Sequence, residues 1–131
     1  NEAYLNTRNI RQSNVLLFSD NAIVIADRRL KQLYPALFPA DSSGRILYLP
    51  AAEYTKTLNS CRKIYDFLSA INVNRSDAVH VVGGGVICDL ATYAVATFKR
   101  GCRLILYPST LLAMVDAAVG GKCGLNYLGI K

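Results

Sequence analysis

Four apolar, β-branched runs recur along the chain, and between them the apolar residues fall at steps of three and four. AIVIAD at 22–27 predicts a short strand ending in Asp27. RRLKQLYPALF follows with leucines at 30, 33 and 37, a helical spacing that Pro35 limits. RILYLP at 45–50 predicts a second strand, closed by Pro50. TKTLNSCRKIYDFLSAI then sets Leu58, Cys61, Tyr65 and Leu68 on one stripe, the pattern of an amphipathic helix. AVHVVGG at 78–84 predicts a third strand and VICDLATYAVATF a helix with Leu90, Ala94 and Phe98 aligned. RLILYP at 103–108 predicts a fourth strand, STLLAMVDAAV another helix, and GGKCGLNYLGIK a loop.

Strands alternating with helices imply an α/β fold, a Rossmann-like and mostly parallel sheet flanked by helices. With no repeat, low-complexity tract or linker, residues 1–131 are expected to form one domain. The closing LNYLGIK lacks a helix cap or polar tail, so the chain is expected to be a portion of a longer protein.

Composition narrows the function. With 52% hydrophobic and 18% charged residues, the chain reads as globular rather than disordered. No apolar stretch approaches the ~20 residues that span a bilayer, and the polar NEAYLNTRNIRQSN lacks the core of a signal peptide. Cys61, Cys88, Cys102 and Cys123 show no CxxC spacing and are read as reduced, mostly buried thiols, which fits the cytoplasm. The single histidine, His80, sits in an apolar run and is read as packed, so no metal site is assigned to this chain. The net charge of +6 is scattered singly or in pairs, without the basic runs and interleaved aromatics of a nucleic-acid binder. An anionic small molecule is the more economical partner.

Three stretches carry candidate chemistry. In VHVVGGGVICDLA, Gly83 to Gly85 lie between a strand and a helix, where glycine permits positive φ or close approach of a ligand, and helix-start N–H groups can hold an anion. The plain alternative is a tight turn without a ligand, and the spacing is not GxGxxG. Asp89, four residues on, is either an exposed charge favoured by the helix dipole or a ligand for a hydroxyl or amide. In YPSTLLAMVDAAVGGKCGLN, Ser109 and Thr110 follow the fourth strand, then Asp116 and Lys122, which are reactive-site candidates or a structural ion pair. In AAEYTKTL, Glu53 and Lys56 stand at i and i+3 at the head of a helix, followed by Thr57.

GGGVICDLATYAVATFKRG, PSTLLAMVDAAVGGKCGLN and AAEYTKTL, in their order and spacing, resemble the N-terminal half of the 3-dehydroquinate synthases, from about Ala22 to Lys131. The resemblance implies a sugar-phosphate cyclase, a carbon–oxygen lyase of the shikimate pathway of aromatic amino acid biosynthesis. It would convert 3-deoxy-arabino-heptulosonate 7-phosphate to 3-dehydroquinate and phosphate, with NAD and a divalent metal, zinc or cobalt. Carried over by position, it assigns Asp27 to the adenosine ribose, Glu53 and Lys56 to the cofactor, and Gly84 and Gly85 to the pyrophosphate. Asp89 would lie on the nicotinamide side, Ser109 and Thr110 would touch NAD, and Asp116 and Lys122 would stand between cofactor and substrate, with Lys131 near. Arg100 would reach the substrate phosphate of a neighbouring subunit, which implies a homodimer.

The resemblance also implies that the metal ligands, a glutamate and two histidines, belong to a second helical domain absent from this chain, leaving the fragment inactive alone. Departures from the family pattern are Cys88 for glycine, Ser109 for threonine, Ala117 and Ala118 for two serines, Ala51 and Ala52 for an acid and a glycine, and Arg29 for an asparagine. Two alternatives stay open: a cyclase of a sedoheptulose or glucose phosphate, and a non-catalytic nucleotide-binding module.

Overall fold

The computed structural model describes residues 18–38 and 44–130. The polar N-terminal stretch and Lys131 therefore lie outside the described residues. Four strands, β1 (Ile23–Asp27), β2 (Ile46–Leu49), β3 (Ala78–Gly83) and β4 (Arg103–Pro108), form one parallel sheet in the order β2-β1-β3-β4. The chain leaves β1 toward β2 on one side and β3 toward β4 on the other, so the connections diverge between β1 and β3. A crevice opens at such a divergence, at the carboxyl ends of the strands.

Burial on both faces explains why the central strands β1 and β3 read as unbroken apolar runs, while the edge strands β2 and β4 are only partly buried. Ile23, Ile25, Val79 and Val81 pack into a core under α2 (Leu58–Ala70) and α3 (Gly85–Thr97). Val24, Ala26 and Val82 face the opposite layer with Phe18, Phe38 and the short helix α1 (Arg28–Leu33). His80 is packed as expected: its Nδ1 lies 3.0 Å from the Tyr107 hydroxyl and its ring meets Phe18 edge-on. Burial, with Arg103 nearby, lowers its pKa below the ordinary 6.5.

Several local expectations are corrected. Glu53 and Lys56 are not at the head of a helix: Glu53–Thr55 is a separate 3₁₀ turn, and α2 starts at Leu58 because Thr57 caps it by accepting from Ser60 N. The buried stripe of α2 is Cys61, Ile64 and Leu68, while Leu58 in the first turn is exposed. Phe98 falls outside α3, in a 3₁₀ turn. The last helix, α4 (Leu111–Val115), is only five residues, so Asp116 is its C-cap rather than part of a longer helix. Among Gly83 to Gly85 none has positive φ, so backbone handedness is not what these glycines serve.

The α3–β4 connection carries the unusual backbone instead. Lys99, Arg100 and Gly101 all have positive φ, at 48°, 66° and 101°. For non-glycine residues that conformation costs free energy, and the Lys99 ammonium donates to Val73 O at 2.7 Å in the segment between Ala70 and Ala78.

A cleft at the carboxyl edge of the sheet

The site is built where strands hand over to helices. The carboxyl end of β3 enters α3 through Gly84, whose side chain is absent and leaves the first turn of a 13-residue helix uncapped. The N–H groups of that turn are the donors a bound anion would use. A Cβ on Gly84 would sit 3.2 Å from Thr110 Cγ2, whereas one on Gly85 would meet nothing within 4 Å. Gly84 therefore admits α4 beside α3, and Gly85 borders open space.

One turn along α3, Asp89 accepts from the Lys56 ammonium at 2.9 Å, and Glu53 stands 3.7 Å from the same nitrogen. Lys56 is 13% exposed and Asp89 26%. Burial pulls the Lys56 pKa down, but the hydrogen bond and charge of Asp89, with Glu53 behind, outweigh it and hold the pKa above the ordinary 10.5. Asp89 also acts on its neighbours. Burial, then the Asp89 charge, pushes the Cys88 thiol up to about 11 and raises Cys123 as well, so both stay protonated at neutral pH and are not nucleophiles.

A cleft of about 370 Å³ is lined by Glu53, Lys56, Gly85, Asp89 and Asp116, among others. It continues into a smaller one of about 150 Å³ that shares Lys56, Asp89 and Asp116 and adds Lys122, Cys123 and Asn126. Six sequence-nominated residues from three separate stretches thus meet at one place. Asp116 and Lys122 are exposed on its wall and, among the described residues, are not paired with each other, which removes the structural ion pair as an account of them.

Other nominated residues lie elsewhere. Asp27 is buried at the end of β1, where its Oδ1 accepts from Arg29 N at 2.9 Å and caps α1. Ser109 and Thr110 follow β4. Ser109 N donates to Gly83 O at 2.9 Å, and Thr110 Oγ1 accepts from Ala113 N at 3.2 Å as the cap of α4. Arg100 is exposed at the opposite end of α3, beside the amino end of β4. Thirteen helical residues at 1.5 Å rise put about 20 Å between the two ends.

Asn126 was not among the nominated residues. Its N–H donates to Lys56 O at 2.7 Å and its Nδ2 to Glu53 Oε1 at 2.9 Å. The signals that could have found it are its place at the end of PSTLLAMVDAAVGGKCGLN, which carries the resemblance, and its polarity inside the apolar, glycine-rich segment GLNYLG. Among the described residues, no group of three His, Cys, Asp or Glu is placed to hold a metal, and no helix is long and apolar enough to cross a membrane.

Comparison with known proteins agrees with this architecture. The sequence profile of the family described as 3-dehydroquinate synthase N-terminal matches residues 46–131. A 3-dehydroquinate synthase of Pyrobaculum islandicum is 38% identical over 114 residues, 87% of this chain and 31% of that protein. One of Nostoc sp. is 49% identical over 79 residues, 60% of this chain and 22% of its own length. The chain thus spans less than a third of these relatives. A 2-epi-5-epi-valiolone synthase from Streptomyces hygroscopicus subsp. jinggangensis, solved with NAD+ and Zn2+ bound, superposes with a TM-score of 0.72 at 24% identity, over 81% of this chain and 31% of that one. A 2-deoxy-scyllo-inosose synthase complexed with carbaglucose-6-phosphate, NAD+ and Co2+ gives 0.66 at 28% identity, over 82% and 31%. A parallel sheet with this strand order, a glycine-bordered cleft and a profile match over most of the length lead to one assignment: the chain belongs to the 3-dehydroquinate synthase family, in its N-terminal region.

Proposed function

We propose that the chain is the dinucleotide-binding part of a sugar-phosphate cyclase. The longer enzyme would convert 3-deoxy-arabino-heptulosonate 7-phosphate to 3-dehydroquinate and phosphate in the shikimate pathway. The observation that carries this reading is the convergence of Lys56, Asp89, Asp116 and Lys122 on adjoining clefts in a chain of this family.

The residues fit NAD. An uncapped helix start beside the open space at Gly85 suits a pyrophosphate, which needs N–H donors and no side chain in the way. The described residues do not supply a metal site, so zinc or cobalt would be held by other parts of the longer protein.

NAD, when bound, supplies a hydride acceptor that is restored within each turnover. The work of this chain is to bind and orient. The first turn of α3 would hold the pyrophosphate, with Glu53, Ser109 and Thr110 along the cofactor and Asp27 at its ribose. Asp89 would accept from the carboxamide, with its carboxylate held in place by the Lys56 ammonium at 2.9 Å. Lys122 presents a cation to an anionic substrate, and Asp116 an acceptor for its hydroxyls; Lys131 would stand nearby. Arg100, too far to reach its own cleft, would serve a neighbour in a homodimer.

The full-length protein, supplied with NAD and zinc, is expected to release phosphate from the heptulosonate phosphate in step with dehydroquinate formation. A second reading is another sugar-phosphate cyclase, favoured by the likeness to 2-deoxy-scyllo-inosose synthase and by Ala117 and Ala118 beside Asp116. Phosphate release from a sedoheptulose or glucose phosphate, with none from the heptulosonate, would replace the first reading with the second. NAD binding without turnover of any of them would leave a non-catalytic module.

A further inference from the structure

Asn126 joins two parts of the chain that are 73 positions apart. Its backbone N–H donates to Lys56 O at 2.7 Å, and its Nδ2 donates to Glu53 Oε1 at 2.9 Å and reaches Glu53 O at 3.4 Å. The two Glu53 acceptors fix the amide orientation, because the reverse would set Oδ1 against a carboxylate. In this orientation Oδ1 is buried and has no hydrogen-bond partner among the described residues. An unpaired buried acceptor is costly, so the donors on Asn126 must outweigh it for the arrangement to stand. Lys56 goes on to Asp89, and Lys122 lies four residues before Asn126 in the same loop.

We infer that Asn126 is a positioning residue: by tethering the loop that carries Lys122 to the turn that carries Glu53 and Lys56, it sets the spacing of the cleft's two walls. What the cleft binds rests on the proposed function; the tether does not. Its action on any ligand goes through Glu53, Lys56 and Lys122 rather than through contact of its own.

Asn126→Asp in the full-length protein tests this. The change keeps the shape and the backbone N–H but replaces the Nδ2 donor with a carboxylate that faces Glu53, with Lys56 adjacent and Asp89 beyond it. At pH 8 the two carboxylates repel. At pH 5 two abutting carboxyls can share a proton, and the O–H then stands in for the lost donor. Amides of residues 122–126 in the ligand-free variant are expected to exchange about tenfold faster than wild type at pH 8, after correction for intrinsic rates, and to match wild type at pH 5. NAD affinity by calorimetry is expected to fall about tenfold at pH 8 and to recover at pH 5, each relative to wild type at the same pH. Wild-type exchange and affinity at pH 8, or losses of equal size at both pH values, would overturn the tether. A wild-type protein that binds no NAD would sink the cofactor assignment, while the exchange data would still decide on Asn126. Should the variant not fold, NAD added to wild type is expected to protect residues 53–57 and 122–126 together, and protection of 53–57 alone would overturn the coupling.

Discussion

A Cβ on Gly83 would lie 2.7 Å from the Ile87 Cβ, one on Gly84 3.2 Å from Thr110 Cγ2, and one on Gly85 near nothing. The three neighbours therefore differ in what a methyl group would cost. Gly83→Ala forces α3 away from the sheet and is expected to destabilise the protein by about 1–3 kcal/mol, the usual range for overpacking. Gly85→Ala enters free space at the first position of a helix, where alanine is favoured, and is expected to shift stability by no more than about 1 kcal/mol, toward greater stability. It should still obstruct the cleft and weaken NAD binding about tenfold, roughly 1.4 kcal/mol. Thermal melts and calorimetry on both variants of the full-length protein check this pair. A Gly85→Ala protein that binds NAD as well as wild type would remove the pyrophosphate from that position. The GGG run pointed to this place, but its reading as a source of positive φ failed, since what mattered was the closeness of Ile87 in the following helix and of Thr110 from the next strand's end.

Among the elements, the four strands were legible as continuous apolar runs, which the central β1 and β3 need because both of their faces are covered, while the edge strands β2 and β4 are only partly buried. Helix starts were less so. Thr57 takes the capping role that the AAEYTKTL pattern left undecided, and α4 stops at Val115 where apolar residues continue to Val119. Contacts such as Glu53 with Asn126 leave no periodic trace, so the sequence offered Lys122 on that loop but not the tether that holds the loop to Glu53. The β3–β4 pairing carries a titratable histidine, His80. His80 has a pKa below 6.5 in the folded state, so its contribution is intact above pH 6.5 and is lost as pH falls from there toward the folded value. The unfolded chain takes up a proton that the folded one resists, at up to about 1.4 kcal/mol per pH unit for one group. Thermal midpoints measured from pH 6.5 to 5 should fall for wild type and fall less for His80→Gln. Equal slopes would show that other groups set the acid dependence.

For the whole molecule, the cleft between the 53–56 turn and the 122–126 loop is flanked by exposed apolar side chains. Leu111, Leu112, Val115 and Val119 beside it are 67–77% exposed, an apolar surface that proteins seldom leave bare. The relatives are about three times as long as the chain, and the sequence could announce Lys56, Asp89, Asp116 and Lys122 but not what meets that surface.

Arg100 adds a consequence for genetics. It projects from a strained turn about 20 Å of helix away from the cleft that holds Lys122. In the proposed homodimer, two subunits would carry separate lesions and still share one intact centre. Arg100→Ala and Lys122→Ala proteins, each expected to be inactive alone, should regain about a quarter of wild-type turnover when co-expressed at equal levels: half of the dimers are mixed, and each has one complete site of two. A mixture as inactive as its parts would mean that Arg100 serves no neighbouring centre.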